Sequence, residues 1–191
     1  MTDNQLINLN QSYFTDQIIT YLGNKRKLLS HINLAIEEIK LNLNKNYINS
    51  FDGFSGSGVI SRLLKLHSNK LIVNDLEYYC YVINKCYLSN LDATQINEIK
   101  DKIDYLNSER KNYNKKGFIE KLYCSENDNN IQVGERLFFT NENGKIIDYL
   151  RSLIKDDDYY SLSSLLYKVS VHNNTSGVFK GFYKDTETNK G

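Results

Sequence analysis

The stretch Phe51-Asp52-Gly53-Phe54-Ser55-Gly56-Ser57-Gly58 carries glycines spaced G-x-x-G-x-G. Glycine is needed where a backbone takes positive φ or approaches a ligand with no side chain between. Just upstream, Tyr47-Ile48-Asn49-Ser50-Phe51 reads as a short strand. Downstream, Val59, Ile60, Leu63 and Leu64 predict a helix ending near His67-Ser68-Asn69. Leu71-Ile72-Val73 is a compact apolar run of the kind found in buried parallel strands, closed by Asn74-Asp75, and a further helix is expected from Glu77 to Ser89. Strand, turn, helix, strand, helix is the first βαβ unit of an open parallel sheet. Such sheets bind ligands at the carboxyl ends of their strands, where this glycine turn lies.

Residues Met1 to Ile19 read as a loosely held arm. From Lys27 to Leu43 a helix is predicted, with Leu28, Ile32, Ala35, Ile36, Ile39 and Leu43 on one face. The character changes after Asn90. A helix is expected from Thr94 to Leu106, with Ile96, Ile99, Ile103 and Leu106 on one side, followed by the basic residues Arg110, Lys111, Lys115 and Lys116. Cys124 to Val133 reads as a polar loop, and two more helices are expected at Gly144–Ile154 and Tyr159–Val171. Only two strands can be placed, whereas a complete doubly wound sheet has about five to seven.

Composition narrows the class. Of 191 residues, 40% are hydrophobic and 25% charged, which excludes a disordered tail, a collagen-like repeat and a coiled-coil rod. No apolar run nears the roughly 20 residues of a membrane-spanning helix. Cys80, Cys86 and Cys124 form no C-x-x-C pair, so a reducing cytoplasm is the expected compartment. The net charge of +1 supplies no global attraction to nucleic acid, so any such contact must come from local patches. There is no proline at all.

The glycine spacing is not the G-x-G-x-x-G of dinucleotide folds, and no Gly-Lys-Ser/Thr ending marks a phosphate-binding P-loop. Asp75 follows the turn at about the 20-residue offset from which an acid reaches ribose hydroxyls in βαβ units. A carboxylate there accepts two charge-assisted hydrogen bonds from the vicinal diol. The expected ligand is nucleoside-like and lacks a pyrophosphate.

A third element, Tyr21-Leu22-Gly23-Asn24-Lys25-Arg26-Lys27-Leu28, precedes the first long helix. Together with Phe51 to Gly58 and Asn74-Asp75, it resembles the Dam-like class of adenine-N6 DNA methyltransferases, over roughly the first ninety residues. Weaker likeness to restriction–modification members of that class lies in Arg136-Leu137-Phe138-Phe139-Thr140, with Asn143, Ile147 and Asp148, and in Asn173 to Phe182. The resemblance implies an α/β, Rossmann-like S-adenosylmethionine-dependent methyltransferase fold, with an incomplete parallel sheet and a mainly helical insertion. It divides the chain into an arm (1–20), a cofactor-binding part (21–93) and a helical, DNA-recognising part (94–191).

By resemblance, Tyr21, Gly23 and Lys25 line the cofactor pocket. Lys25 meets the carboxylate of the methionine moiety. Asp52, Phe54, Ser55, Gly56, Ser57 and Gly58 surround the ligand from the sheet side, while Asp75 holds the ribose and Leu76 flanks the adenine. The implied reaction passes a methyl group from S-adenosylmethionine to N6 of an adenine flipped out of double-stranded DNA. The implied partners are that DNA and a cognate restriction endonuclease, with no membrane. The family activates N6 with an Asp/Asn-Pro-Pro-Tyr/Phe motif, which a chain without proline cannot contain, so no catalytic residue is assigned. The expectation is therefore an N-terminal portion of a longer enzyme, or half of a split one whose C-terminal half supplies the motif. The rival is a non-catalytic cofactor- or DNA-binding subunit.

Other residues read as structural. His31, His67 and His172 fit no metal spacing and are expected at surface or helix-end positions. Cys80 and Cys86 read as small apolar packing residues. Tyr78, Tyr79, Tyr81 and Tyr87 are expected to pack with their hydroxyls outward.

Overall fold

A computed structural model describes residues 11–20, 23, 25–113, 117–176 and 181–187. Residues 1–10 of the arm, Tyr21, Leu22 and Asn24, residues 114–116 with Lys115 and Lys116, and residues 177–180 and 188–191 lie outside these. The chain divides into two compact units, Met1–Ser89 and Asn90–Gly191. Among the described residues no helix is long and apolar enough to cross a membrane.

The first unit is α/β. In chain order it holds α1 (Ser12–Thr15), a 3₁₀ turn (Arg26–Leu28), α2 (Leu29–Leu43), β1 (Ile48–Asp52), α3 (Val59–His67), β2 (Ser68–Val73) and α4 (Tyr78–Leu88). The strands β1 and β2 pair in parallel, with Phe51 opposite Ile72 and Asp52 opposite Val73. This is the βαβ unit expected from the sequence, and α3 makes the crossover. One face of the sheet packs on helices, while Phe51 and Ile72 are exposed on the other.

Helix α2 ends at Asn44, which takes the left-handed conformation (φ 50°) and donates its N–H to Leu41 O. Lys45 N closes the cap on Lys40 O at 3.0 Å. The core joins Leu29 and Ile36 to Phe14, Val59 and Leu63, with Ile32 partly buried beside them. The predicted apolar face is thus displaced, for Leu28, Ile39 and Leu43 are exposed. Entering through a 3₁₀ turn leaves Leu29 to begin the buried line. At about 100° per residue, Leu28 and Ile39 fall about a quarter turn off it, and Leu43 is the last helical residue.

The arm is held more closely than expected where it is described. Phe14 and Ile18 are buried, and Arg26 donates to Thr15 O at 3.0 Å and to Gln17 Oε1 at 2.8 Å. Beneath it, Arg62 of α3 is only 1% exposed. Its guanidinium lies 5.6 Å from the Tyr13 ring centroid and 5.7 Å from that of Tyr87. Its Nε, Nη1 and Nη2 have no hydrogen-bond partner among the described residues. Burying such an ion costs several kcal/mol, which two desolvated cation–π contacts of about 2 kcal/mol each offset in part. Accordingly, burial lowers the Arg62 pKa, opposed by the two tyrosines.

His67 ends α3 as predicted but is buried, with Nε2 2.8 Å from Asn33 Oδ1 and Nδ1 3.2 Å from Glu37 Oε1. Burial first, and then neighbouring Lys40, lowers its pKa against the pull of Glu37.

The second unit is helical: α5 (Ala93–Glu109), α6 (Phe118–Tyr123), α7 (Asn141–Leu153) and α8 (Tyr159–Val171). Asp92 and Gln95 form a capping box on α5. Thr140 and Asp158 cap α7 and α8 through Asn143 N and Ser161 N. The short α6 was not legible, because its N-terminus is capped from elsewhere in the chain. Asp148 of α7 accepts from Ile119 N and Glu120 N, both at 2.9 Å. A core of Cys124, Phe138 and Phe139 receives Phe182, whose ring meets Phe138 edge-on at 5.2 Å. Asn174 ties the two segments, donating from its backbone to Phe138 O at 2.8 Å and from its side chain to Tyr183 O at 3.1 Å.

Asp148→Ala leaves two helix-end N–H groups without their acceptors. It is expected to lower stability by about 1–3 kcal/mol in urea unfolding. Unchanged stability would remove Asp148 as the organiser of α6.

Candidate cofactor site

The parallel pairing carries β1 and β2 to a common end, and backbone bonds lock the residues beyond it. Asn74 N donates to Asp52 O at 2.8 Å, Ser55 N to Asn74 O at 3.1 Å, and the Asn74 side chain to Gly53 O at 3.1 Å. The chain then turns sharply, with Gly56 at φ 53° and Gly58 at φ 75°, both in the left-handed region. Gly58 also needs its missing Cβ, which would fall against Asn84 Oδ1.

Asp75 is the acid that meets this turn. Its Oδ2 accepts from Gly56 N at 2.7 Å and its Oδ1 from Glu77 N at 3.1 Å. Burial acts to raise the Asp75 pKa, but hydrogen bonds from the Glu77 and Gly56 amides, with help from Cys80 and Leu76, outweigh it and hold the carboxyl below its ordinary value. The same neighbourhood pushes the Cys80 thiol up to about 11, through its own burial and the Asp75 charge.

Two residues not singled out from the sequence complete the arrangement. Asn84 of α4 is buried and donates to Ser55 Oγ at 3.0 Å, Gly56 O at 3.3 Å and Cys80 O at 2.9 Å. Ser61 of α3 donates to Asp52 Oδ2 at 2.6 Å. Asn84 left a signal: it is a poor helix former on a stripe with Cys80 and Ile83, and such a residue on an apolar face serves a specific acceptor set.

A cavity of about 540 Å³ opens here, with Leu71, Val73 and Leu88 among its walls and Ser55, Asp75 and Asn84 supplying polar groups. That volume suits a small-molecule ligand. A second cavity, about 440 Å³ and lined in part by Glu120, Arg136 and Asn141, lies in the helical unit and includes none of the predicted cofactor residues.

Asp52, Ser55, Gly56, Gly58 and Asp75 therefore meet in one hydrogen-bonded assembly, and Ser57 is buried within the turn. Phe54 and Leu76, 95% and 94% exposed, follow the two strand ends as free apolar groups. Gly23 has φ 77°, and Lys25 Nζ donates to Gly23 O at 2.9 Å. Among the described residues no hydrogen bond joins Lys25 to the turn or to Asp75. Tyr78 and Tyr81 stack on each other, with ring centroids 5.9 Å apart.

The assembly fits an adenosyl group. The half-buried Asp75 carboxylate lines that cavity, where an ionised oxygen can accept from a ligand hydroxyl alongside the Gly56, Glu77, Leu76 and Cys80 donors it already meets. Glycines at the tightest bend keep the backbone approachable.

Asp75→Asn keeps the shape but loses one charge-assisted acceptor, and is expected to lower stability by about 1.5–3 kcal/mol at pH 7. A carboxyl whose native pKa is depressed contributes stability above its unfolded-state value and loses it as pH falls through the native one. The difference from wild type should therefore close below about pH 4 in urea titrations; a gap constant with pH would exclude the carboxylate as its source. Gly58→Ala combines a left-handed alanine with a clash on Asn84 and should cost about 2–4 kcal/mol in the same measurement.

Known proteins supply the family. The chain is 29% identical over 178 residues to the type II methyltransferase M.NlaIII of Neisseria lactamica, covering 87% of this chain and 50% of that protein. It is 30% identical over 177 residues to the type II methyltransferase M.CviAII of Paramecium bursaria Chlorella virus 1, covering 87% and 49%. With the type II methyltransferase M.FokI of Planomicrobium okeanokoites it shares 27% identity over 179 residues, covering 86% and 26%. The chain thus spans about half the length of the first two and about a quarter of the third. No solved structure gives a significant match. Residues 21–190 match the model of the D12 class N6 adenine-specific DNA methyltransferases, and the chain belongs to that family.

Proposed function

We propose that this chain forms the S-adenosylmethionine-binding part of an adenine-N6 DNA methyltransferase of a restriction–modification system, built on a Rossmann-like sheet. The observation that carries the reading is the Asp75 carboxylate, bound to Gly56 N at 2.7 Å and lining a cavity of about 540 Å³. Asp75 holds the ribose diol. Leu76 and Phe54 provide apolar surface for the adenine and the rest of the cofactor, and the turn from Ser55 to Gly58 presents backbone rather than side chains. Gly23 and Lys25 belong to the pocket, with Lys25 exchanging its bond to Gly23 O for the methionine carboxylate, and Tyr21, outside the described residues, is assigned to it from the family resemblance alone. Bound S-adenosylmethionine supplies the electrophilic methyl group.

The Asp/Asn-Pro-Pro-Tyr/Phe motif whose acceptors would activate adenine N6 is not among these 191 residues, since none is proline. They come from further polypeptide of the same protein or from a partner chain. The exposed Phe51 and Ile72 support this, because parallel sheets are normally covered on both faces. The helical unit, with Arg110 and Lys111 after α5, contributes DNA contacts, and the partners are double-stranded DNA and a cognate endonuclease.

Titration calorimetry with S-adenosylhomocysteine tests the site. Asp75→Ala should weaken binding by about 1–3 kcal/mol, or about 5- to 150-fold, while circular dichroism reports a retained fold. Equal affinity would take Asp75 out of the site. The purified chain should give no tritiated-methyl transfer to adenine-containing DNA; clear turnover would refute the placement of the acceptors outside it.

A further inference from the structure

Gly56 is gripped at both of its peptide groups. Its N–H donates to Asp75 Oδ2 at 2.7 Å, and its carbonyl accepts from Asn84 Nδ2 at 3.3 Å. The same Asn84 amide donates to Ser55 Oγ at 3.0 Å and to Cys80 O, one turn back on α4, at 2.9 Å. Asn84 Oδ1 lies against the place that a Gly58 Cβ would occupy. One side chain of α4 therefore meets Ser55, Gly56 and Gly58 of the bend, and Asn84, Ser55 and Asp75 line the same cavity.

Packing alone does not call for asparagine at this position. Cys80, Val82 and Ile83 of α4 are buried around it, and asparagine is a poor helix former. Its Oδ1 has no hydrogen-bond partner among the described residues, and a buried acceptor without a donor costs stability. Leucine, of similar size, would fill the space without that orphan. What asparagine adds is a pair of N–H donors beside a backbone that passes through the left-handed region at Gly56 (φ 53°) and Gly58 (φ 75°). Within the bend the backbone supplies the bond from Gly58 N to Ser55 O at 2.9 Å, whereas the Gly56 N–H and C=O are met by side chains.

We infer that Asn84 is a positioning residue for cofactor binding: by fixing the Ser55 hydroxyl and the Gly56 carbonyl it holds the Gly56 N–H on Asp75, and so keeps that carboxylate in place on the cavity wall before a ligand arrives. A glycine released from Asn84 regains a wide range of φ and ψ, and part of the binding free energy would then go to re-forming the bend. The inference rests on the adenosyl reading of the site.

The test uses the 191-residue chain, Asn84→Leu, Asp75→Ala and the variant that combines them. It joins S-adenosylhomocysteine affinity, by titration calorimetry, to amide exchange across the first unit. Asn84→Leu keeps the bulk but loses the donors, and should bind about tenfold more weakly. Its Gly56, Ser57 and Gly58 amides should exchange about tenfold faster relative to the paired amides of β1 and β2. The combined variant should bind no more weakly than Asp75→Ala alone, because Asn84 acts through the group already removed. An asparagine that only stabilised the fold would speed exchange in the strands as much as in the bend, and its loss would add to that of Asp75→Ala. Should Asn84→Leu fail to fold, Asn84→Ser, which fits the space and keeps one hydroxyl donor, takes its place in both variants and should show the same pattern with smaller losses. Wild-type affinity in a folded Asn84 variant, uniform exchange, or additive losses in the combined variant overturns the inference while leaving Asp75 in the site. Absence of binding by the wild-type chain, or wild-type affinity in Asp75→Ala, overturns the adenosyl reading, and the inference with it.

Discussion

The bond between the Asp75 carboxylate and the Gly56 amide is the constraint on which the rest of the site depends. A turn tight enough to leave β1 and enter α3 at once exposes amides that neither element can satisfy, and a buried amide without an acceptor is strongly disfavoured. Parallel pairing brings the ends of β1 and β2 together, with Asp52 opposite Val73, so the residue two beyond β2 can reach across to the turn. One charge thereby completes the turn while lining the cavity beside it. Because hydrogen bonds outweigh burial, the group stays ionised through the physiological range.

Around that bond, directional polar contacts order the first unit as much as apolar packing does. Asn84 joins α4 to the turn, Ser61 joins α3 to Asp52, and His67 joins α3 to α2. Arg62 adds a cation between two rings. These groups are buried and geometrically demanding, which suits a site that must hold backbone in the left-handed region. The helical unit is organised differently, by caps at its helix starts and by edge-on aromatic contacts around Phe138. Membership of the D12 class spans both units, since the match runs from 21 to 190. The polar assembly beside Asp75 is, however, confined to the first.

Residue order alone made the βαβ unit legible, because its signals are local: an apolar run, a glycine cluster, a second apolar run and an acid at the right interval. The helix expected from Tyr159 to Val171 is present with those bounds, and its Asp158 cap lies beside it in the chain. What failed depended on contacts distant in sequence. Helix α6 begins where it does because Asp148, some thirty residues on, accepts its first amides. The buried line of α2 starts at Leu29 because a 3₁₀ turn precedes it and α3 and Phe14 lie against it. The part of the arm around Phe14 is anchored by a core that periodicity does not reveal.

The sequence by itself determined the kind of site: glycines for a tight bend, an acid placed to meet it, and, through the missing proline, the lack of an Asp-Pro-Pro-Tyr-type motif in these residues. Only the tertiary structure decided that Asp75 already accepts the Gly56 and Glu77 amides, that Asn84 holds the turn from behind, and that Arg62 sits between two tyrosines with no hydrogen-bond partner among the described residues. The physical reason is the range of the forces involved. Backbone conformation and hydrophobic period are written within a few residues, whereas the partner of a buried polar group is chosen by which distant elements pack against it.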